Sequence, residues 1–513
     1  MSEKDRKLIF WASFLSLMAA GVGFSYRVMV LGDWGEEFGL NGQEIGRIFG
    51  ASLWPIAVTM ILFSLVVDKI GHKVSMYGAF LLQALSAVLT FTAKDPNGLY
   101  IAAMAAGLGH GIVEAVINPV CSTMYPKDRT KMLNILHAAW PAGLVFGGCL
   151  MLTPGLSALS WEVKGLWILL PVIVYGVMFL RVTFPVDERV QNKIPYRDML
   201  KEVGFLGAFL ASFLLCYEIW SKLFPETENL IGISLGVGVL VGAGFGFYTR
   251  SIGKVLYFIL CLIMIPLATT ELGTDAWIKE LMTPTMGELA GWALVLSAFI
   301  MMVLRFQAGI LTKRFSPPVI LIISSFFSLC GLMVLSVSGG AVVFLAFVLY
   351  AIGQTFYWPT VLGFAAEQYP RGGALTLNTV SAIGLLSVGI IGTPIIGSFN
   401  DNHTKNEVKA LSSEVYEGSK TQASFFGASY EAVDRAKAEE LVAAKGLEEG
   451  YKSALNNATR KSLRTTALVF PGIMLISFIL IALWFKSRGG YKPVELVHEE
   501  GCAVPAPGSQ GGG

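Results

Sequence analysis

The run Gly107–Asn134, GLGHGIVEAVINPVCSTMYPKDRTKMLN, returns 244 residues later as Ala351–Asn378, AIGQTFYWPTVLGFAAEQYPRGGALTLN. At that single offset Gly109 matches Gly353, Tyr125-Pro126 matches Tyr369-Pro370, and Leu133-Asn134 matches Leu377-Asn378. The same shift lays Val66–Lys73, VVDKIGHK, on Ile310–Pro317, ILTKRFSP, and Glu44 on Glu288. One offset held over so long a stretch signals a duplicated unit, which constrains the fold more than any single motif does.

Composition says what is duplicated. Of 513 residues, 54% are hydrophobic and 14% charged, with a mean hydropathy of +0.62, which is too apolar for a soluble chain of this length. A membrane helix needs roughly 20 apolar residues. Runs of that kind centre near Ala20, Ser52, Leu82, Gly111, Pro141, Val174, Phe213, Val239, Leu262, Ile300, Phe327, Gly353, Leu386 and Gly472, fourteen in all. The first, Leu8 to Leu31, is too long for a signal-peptide core and is read as a retained span. Basic residues in alternate short loops, among them Lys69, Lys73, Lys127, Arg129, Arg189, Lys254, Lys313 and Arg314, put both termini in the cytoplasm. The opposite short loops offer little beyond Lys94, Lys164 and Lys279.

The predicted fold is therefore an all-α membrane protein in two six-helix halves with an inserted two-helix hairpin. Residues 1–185 form the first half, and 186–250 a cytoplasmic loop and the hairpin. Residues 251–490 form the second half, including a polar outer loop at 400–464, and 491–513 a disordered cytoplasmic tail. Within the outer loop, EAVDRAKAEELVAAKGLEE has helical composition. Parallel halves around a midplane site are a transporter architecture.

Several functions are excluded. A net charge of +2 without a basic, aromatic-interleaved patch argues against nucleic acid. Five of the six cysteines lie in or beside apolar runs as small fillers, and no spacing suggests a metal or redox site. With no nucleophile–base set or phosphate loop, no enzyme, cofactor or metal is expected.

His110, Glu114 and Asn118 are four residues apart and stack on one face of the fourth run. A carboxylate near mid-span is costly unless it faces a cavity, which makes Glu114 a candidate for substrate contact or proton coupling. A structural hydrogen bond that locks helices is the plainer alternative. The repeat places Gln354 opposite His110 and Trp358 opposite Glu114, with Tyr350 and Tyr357 on the same face. Sugars suit such a two-sided cavity, because hydroxyls bind amides and carboxylates while the ring packs on an aromatic. Ordinary packing competes for Trp358 and His110. In the fifth run, Asn134, His137 and Trp140 face together and extend the cavity. Arg27, nearer the outer end of the first span, pairs by offset with Glu271 as an outer gate, binds an anionic substrate, or snorkels to headgroups. Arg305 lies within about two turns of the cytoplasmic end.

Asp68-Lys69-Ile70-Gly71-His72-Lys73 resembles the G-x-x-x-D-[RK]-x-G-[RK]-[RK] loop of the major facilitator superfamily. Asp68, Lys69, Gly71 and Lys73 match, while Ser64 replaces the leading glycine and His72 a basic residue. AGLGHGIVEAVINP, RFQAGILTKRFSP and YWPTVLGFAAEQYP are similar to the fourth, eighth and tenth spans of its fucose/galactose/glucose:proton symporter branch. The resemblance implies alternating access, gating by Asp68, Lys69, Gly71 and Lys73, with Arg305, Arg314 and Glu271 as further gating candidates, and proton coupling at Glu114. It implies a neutral sugar as cargo and a proton as coupling ion. The branch's acidic residue in the first span has no counterpart in AAGVGFSY. The competing cargo is an organic anion or drug handled by Arg27, and a receptor or scaffold that kept the fold is a third reading. A monomer in a bacterial inner membrane or a eukaryotic plasma membrane is expected.

Overall fold

The computed structural model describes residues 1–224, 226–273, 291–338, 342–425 and 428–496. Glu288, Lys279, Cys502 and the tail from 497 onward lie outside the described residues.

The first half runs through α1 (Glu3–Phe38), α2 (Gly42–Gly50) with α3 (Trp54–Ile70), α4 (His72–Thr92) and α5 (Pro96–Met124). It ends with α6 (Arg129–His137) and α7 (Ala139–Leu152), then α8 (Trp161–Gly165) and α9 (Leu169–Leu180). A short α10 (Glu188–Gln191) leads into the hairpin α11 (Tyr196–Leu223) and α12 (Leu230–Thr249). The second half holds α13 (Val255–Ala268), which widens into a π-turn at Thr269–Gly273, then α14 (Gly291–Phe306) and α15 (Ala308–Thr312). It continues with α16 (Pro317–Val337), α17 (Val342–Gln354), α18 (Tyr357–Gln368), α19 (Gly373–Ser387) and α20 (Thr393–Leu411). Beyond these come α21 (Ser413–Ser419), β1 (Lys420–Phe425), β2 (Ala428–Val433), α22 (Arg435–Lys445) and the long α23 (Glu448–Ser487).

Thirteen stretches of the described helix are long and apolar enough to cross a membrane, and α14 adds a shorter apolar helix, against fourteen runs expected. Leu81, Leu240, Phe247 and Ile476 stand exposed on the outside, as a lipid-facing surface requires. Local chemistry sets the ends. Asp95 accepts the Gly98 N–H at 2.8 Å and Pro96 opens α5, a fixed-φ start that needs no donor.

The repeat is visible in geometry. Tyr125 closes α5 with φ −130° and ψ 60°, and Tyr369 closes α18 with φ −128° and ψ 50°. A Cβ on Gly109 would stand 3.1 Å from Gln83 of α4, and one on Gly353 2.3 Å from Ser328 of α16. Each glycine therefore sits where its half crosses two helices closely. Across the halves, Asn134 donates to Thr360 Oγ1 at 3.2 Å and Asn378 donates to Ala115 O at 3.1 Å, a reciprocal pair about the pseudo-two-fold axis.

The inserted hairpin is held by shape. Phe205, Phe209 and Phe213 stack along α11, and Gly246, Gly242 and Gly238 of α12 receive them in the same order.

Two expectations are corrected. The stretch expected as one helix from Glu431 to Glu449 is helical over Arg435–Lys445 and again from Glu448, where α23 begins. Residues 431–433 pair with Lys420–Gln422 in an antiparallel hairpin, and Asp434 stops the strand by capping the helix. The tail expected as disordered from 491 is packed at its start. Tyr491 donates to Glu367 at 2.7 Å and lies against Phe364 and Phe485, and Val494 N–H reaches Glu367 O at 2.8 Å.

Candidate functional site

A cavity of about 400 Å³, counting its mouth, opens in the first half. Phe24, Arg27, Ser52, Gln83, His110 and Trp140 are its chief lining groups, and the described lining all comes from that half. His110 and Trp140 stack at 5.3 Å with planes 18° apart, and Phe24 leans on Trp140 at 5.3 Å. The result is an aromatic wall. Gln83 is fixed beside it by Tyr175, which donates at 2.9 Å.

Arg27 is the one cation on this lining. It is 8% exposed, and among the described residues no carboxylate lies within ion-pair distance. Gly23 one turn earlier leaves room for its guanidinium, whose Nη1 stands 3.1 Å from where a Cβ would be. A buried charge without a counter-charge costs several kcal/mol unless a ligand or water satisfies it. The expected pair with Glu271 is not formed. Residues related by a pseudo-two-fold meet only if they lie near its axis, and the Glu271 carboxylate is already engaged by Arg305 at 2.7 Å and by the Trp358 N–H at 3.2 Å.

Below the cavity lies a buried polar chain. His110 Nε2 is 3.7 Å from Glu114 Oε1, an ion-pair separation too long for a hydrogen bond. Asn118 Nδ2 donates to Glu114 Oε2 at 2.7 Å, and His137 Nε2 is 2.8 Å from Asn118 Oδ1. The four residues are buried or nearly so, Asn118 at 0%, His137 at 3%, Glu114 at 7% and the His110 side chain at 12% exposed. Of the remaining sequence candidates, Gln354 binds Ser297 Oγ at 3.2 Å and Tyr357 donates to Ser324 O at 3.4 Å, so neither lines the described cavity. Trp358 packs on Gly384 and likewise lies away from it. The two-sided cavity expected from the repeat is thus one-sided among the described residues, because α17 and α18 turn these groups into their own half.

Arg305 lies in the last turn of α14, near a helix end as expected. It is also 1% exposed and spans the halves, donating to Thr355 O at 2.7 Å, His137 O at 3.0 Å and Glu271 Oε1 at 2.7 Å.

The end of the bundle that carries the N-terminus and the segment around Tyr491 is closed. Arg129 donates to Ala366 O at 2.6 Å and pairs with Glu188 at 2.5 Å, and Thr130 Oγ1 donates to Glu367 at 2.5 Å. Asp68 pairs with Arg189, Lys69 lies 5.6 Å from the centre of the Tyr196 ring, and Gly71 makes the positive-φ link to α4. Lys73 donates to Leu180 O and Val182 O, closing the end of α9. Arg314 is exposed and, among the described residues, makes no ion pair. Asp187, in a cleft between the halves, has its carboxyl pushed up to about 6 by burial and by Asp68. Sequence reasoning missed Arg129, Glu188, Arg189 and Glu367 as clasp residues. The repeated Tyr-Pro was the available signal, since Glu367 precedes one copy and Arg129 follows the other.

A helical bundle of two repeated halves, clasped at one end, with a cavity in the first half and ionisable groups buried between the halves, is the build of a membrane carrier. The chain belongs to the Major Facilitator Superfamily, whose family model matches residues 9–393, and it is a transporter, not an enzyme. It is 22% identical over 236 residues to a gentisate transporter of Corynebacterium glutamicum, covering 44% of this chain and 51% of that one. It is 22% identical over 169 residues to a hexuronate transporter of Bacillus subtilis, covering 32% and 39%. The chain thus spans about half the length of the first relative and less of the second. Among solved structures, the transporter FucP in its outward conformation superposes with a TM-score of 0.59 at 14% identity, over 93% of this chain and 99% of that one.

Proposed function

We propose that the chain carries a small hydroxylated organic acid together with a proton, by alternating access, with Arg27 as the carboxylate site and Glu114 as the proton site. One observation carries the reading: Arg27 is a buried cation on the wall of the cavity, with no carboxylate in ion-pair distance among the described residues. An arginine there presents a planar fork that matches a carboxylate bidentately. The aromatic wall of Phe24 and Trp140 takes the apolar face of the cargo, and Gln83 and Ser52 supply partners for its hydroxyls. The relatives named for gentisate and hexuronate support a carboxylate cargo. A neutral sugar is the second reading, favoured by the Glu114–Asn118 pair one turn below the cavity.

Basic residues in the short loops support a cytoplasmic clasped end and an outer position for the cavity; a cargo driven by an inward acid gradient would then be imported. Proton binding at Glu114 offsets the charge that an anionic cargo adds to a low-dielectric site.

The experiment is uptake of labelled gentisate, glucuronate and glucose into proteoliposomes, with and without an inward acid gradient. Accumulation of either acid only with the gradient is the expected result. Accumulation of glucose alone would transfer the role to the Glu114 face and leave Arg27 structural.

A further inference from the structure

Three helices are interrupted near the middle of the bundle, and the interruptions meet. The break between α6 and α7 falls between His137 and Ala139, that between α17 and α18 between Gln354 and Tyr357, and α13 widens into a π-turn at Thr269–Gly273. A broken helix exposes carbonyls on one side and N–H groups on the other, and lipid offers neither a partner. One ion pair serves them. Arg305 donates to the freed carbonyls of His137 and Thr355, while Glu271, itself in the π-turn, accepts the Trp358 N–H that opens α18. Of these contacts, only the bond to His137 crosses from the second half to the first.

His137 has two faces. Its carbonyl is held by Arg305, and its ring is held by Asn118, which in turn donates to Glu114. The chain has a direction when Glu114 is ionised: His137 Nε2–H donates to Asn118 Oδ1, and Asn118 Nδ2–H donates to Glu114 Oε2. A proton arriving on Oε2 would leave two donors facing each other, so the Asn118 amide would have to rotate and abandon His137. A proton on Oε1 would instead face His110 Nε2, a buried nitrogen without a hydrogen bond at present. Which site is cheaper depends on how rigidly the His137 ring is held.

We propose that Arg305 is a positioning residue for the proton step: by anchoring the His137 carbonyl from the second half, it fixes the His137–Asn118–Glu114 chain and links protonation in one half to the fit between halves. This inference rests on the reading of Glu114 as the proton site. The charged and titratable groups around Glu114 are His110 on its own helix, His137 on α6, and Arg305 with Glu271 from the second half.

The test needs no cargo. The protonated-carboxyl infrared band of the full chain in lipid is titrated with pH and assigned through Glu114→Gln. Two further variants follow, Arg305→Lys, which keeps the charge but cannot reach three acceptors with one fork, and the doubly neutral Arg305→Gln with Glu271→Gln, which leaves no buried charge unpaired. Both should move the midpoint of the Glu114 band by about one pH unit, a tenfold change in proton affinity. If Arg305→Lys titrates like wild type while the double variant shifts, charge alone is felt at Glu114 and positioning is overturned. Unchanged midpoints in both folded variants overturn it as well. If Glu114→Gln removes no titrating band, the proton-site reading fails first, and that failure is distinguishable from the other two.

Discussion

Replacing Asp187 with asparagine should flatten the acid limb of the stability profile. Asp187 sits at the head of α10, 4% exposed, where its Oδ1 accepts the Arg189 N–H at 2.9 Å. Burial, then the Asp68 charge, push its carboxyl from 3.8 to about 6 against the pull of Arg189. A carboxyl that holds its proton more tightly folded than unfolded stabilises the fold while protonated and loses that stabilisation as pH rises. The gap, 6 − 3.8 = 2.2 pH units, corresponds to about 3 kcal/mol at about 1.4 kcal/mol per unit. That contribution is complete below about pH 4, falls between about 4 and 6, and is gone above. Asparagine caps a helix about as well as aspartate and stays neutral throughout. Thermal unfolding of detergent-purified protein should therefore show the two proteins nearly equal at pH 4 and the variant more stable at pH 7.5. Parallel profiles, or a variant weaker at pH 7.5, would refute the argument.

Arg27→Gln should weaken binding of a carboxylate cargo by about 2–5 kcal/mol, roughly 30- to 4000-fold, in a calorimetric titration. It should leave the melting temperature unchanged or higher, because a buried charge with no ion-pair partner among the described residues is removed; a large drop would mean that Arg27 has a structural partner. Glu114→Gln should abolish gradient-driven accumulation, and unchanged accumulation in a folded protein would sink the proton assignment. Glu367→Gln should loosen the clasp, since one carboxylate serves Thr130 on one side and Tyr491 on the other. Losing about 1–3 kcal/mol there predicts roughly 5- to 150-fold faster thiol labelling of a cysteine substituted for Ser122 in the cleft. Labelling at the wild-type rate would remove Glu367 from the gate.

The repeat was legible because it is written in residues whose role is backbone geometry. Gly109 and Gly353 permit close crossings, and Tyr125 and Tyr369 end helices, so the same structural demand left the same letters twice. The cluster of Glu114, Asn118 and His110 was legible for a similar reason: helical spacing alone puts them on one face. Contacts between elements were less accessible. The offset suggested Arg27 with Glu271 and a shared cavity with Gln354 and Trp358, yet pseudo-symmetry relates positions without bringing them together. Pro141 and Pro359, each four residues after a carbonyl that Arg305 holds, mark the breaks in the sequence, but nothing in the periodicity says which way a break turns the side chains beside it.

The two buried arginines show why position alone misleads. Arg27 and Arg305 are the same residue at comparable burial, 8% and 1% exposed, and either could be read from sequence as a gate. Their surroundings separate them. Arg305 has its charge matched by Glu271 and its fork filled by two carbonyls, so a cargo anion would have to displace bonds already made. Arg27 has a cavity in front of it and no carboxylate beside it among the described residues, so an anion there gains attraction without breaking an existing pair. A carrier needs both arrangements: a satisfied ion pair to hold broken helices in register, and an unsatisfied charge that only the cargo completes.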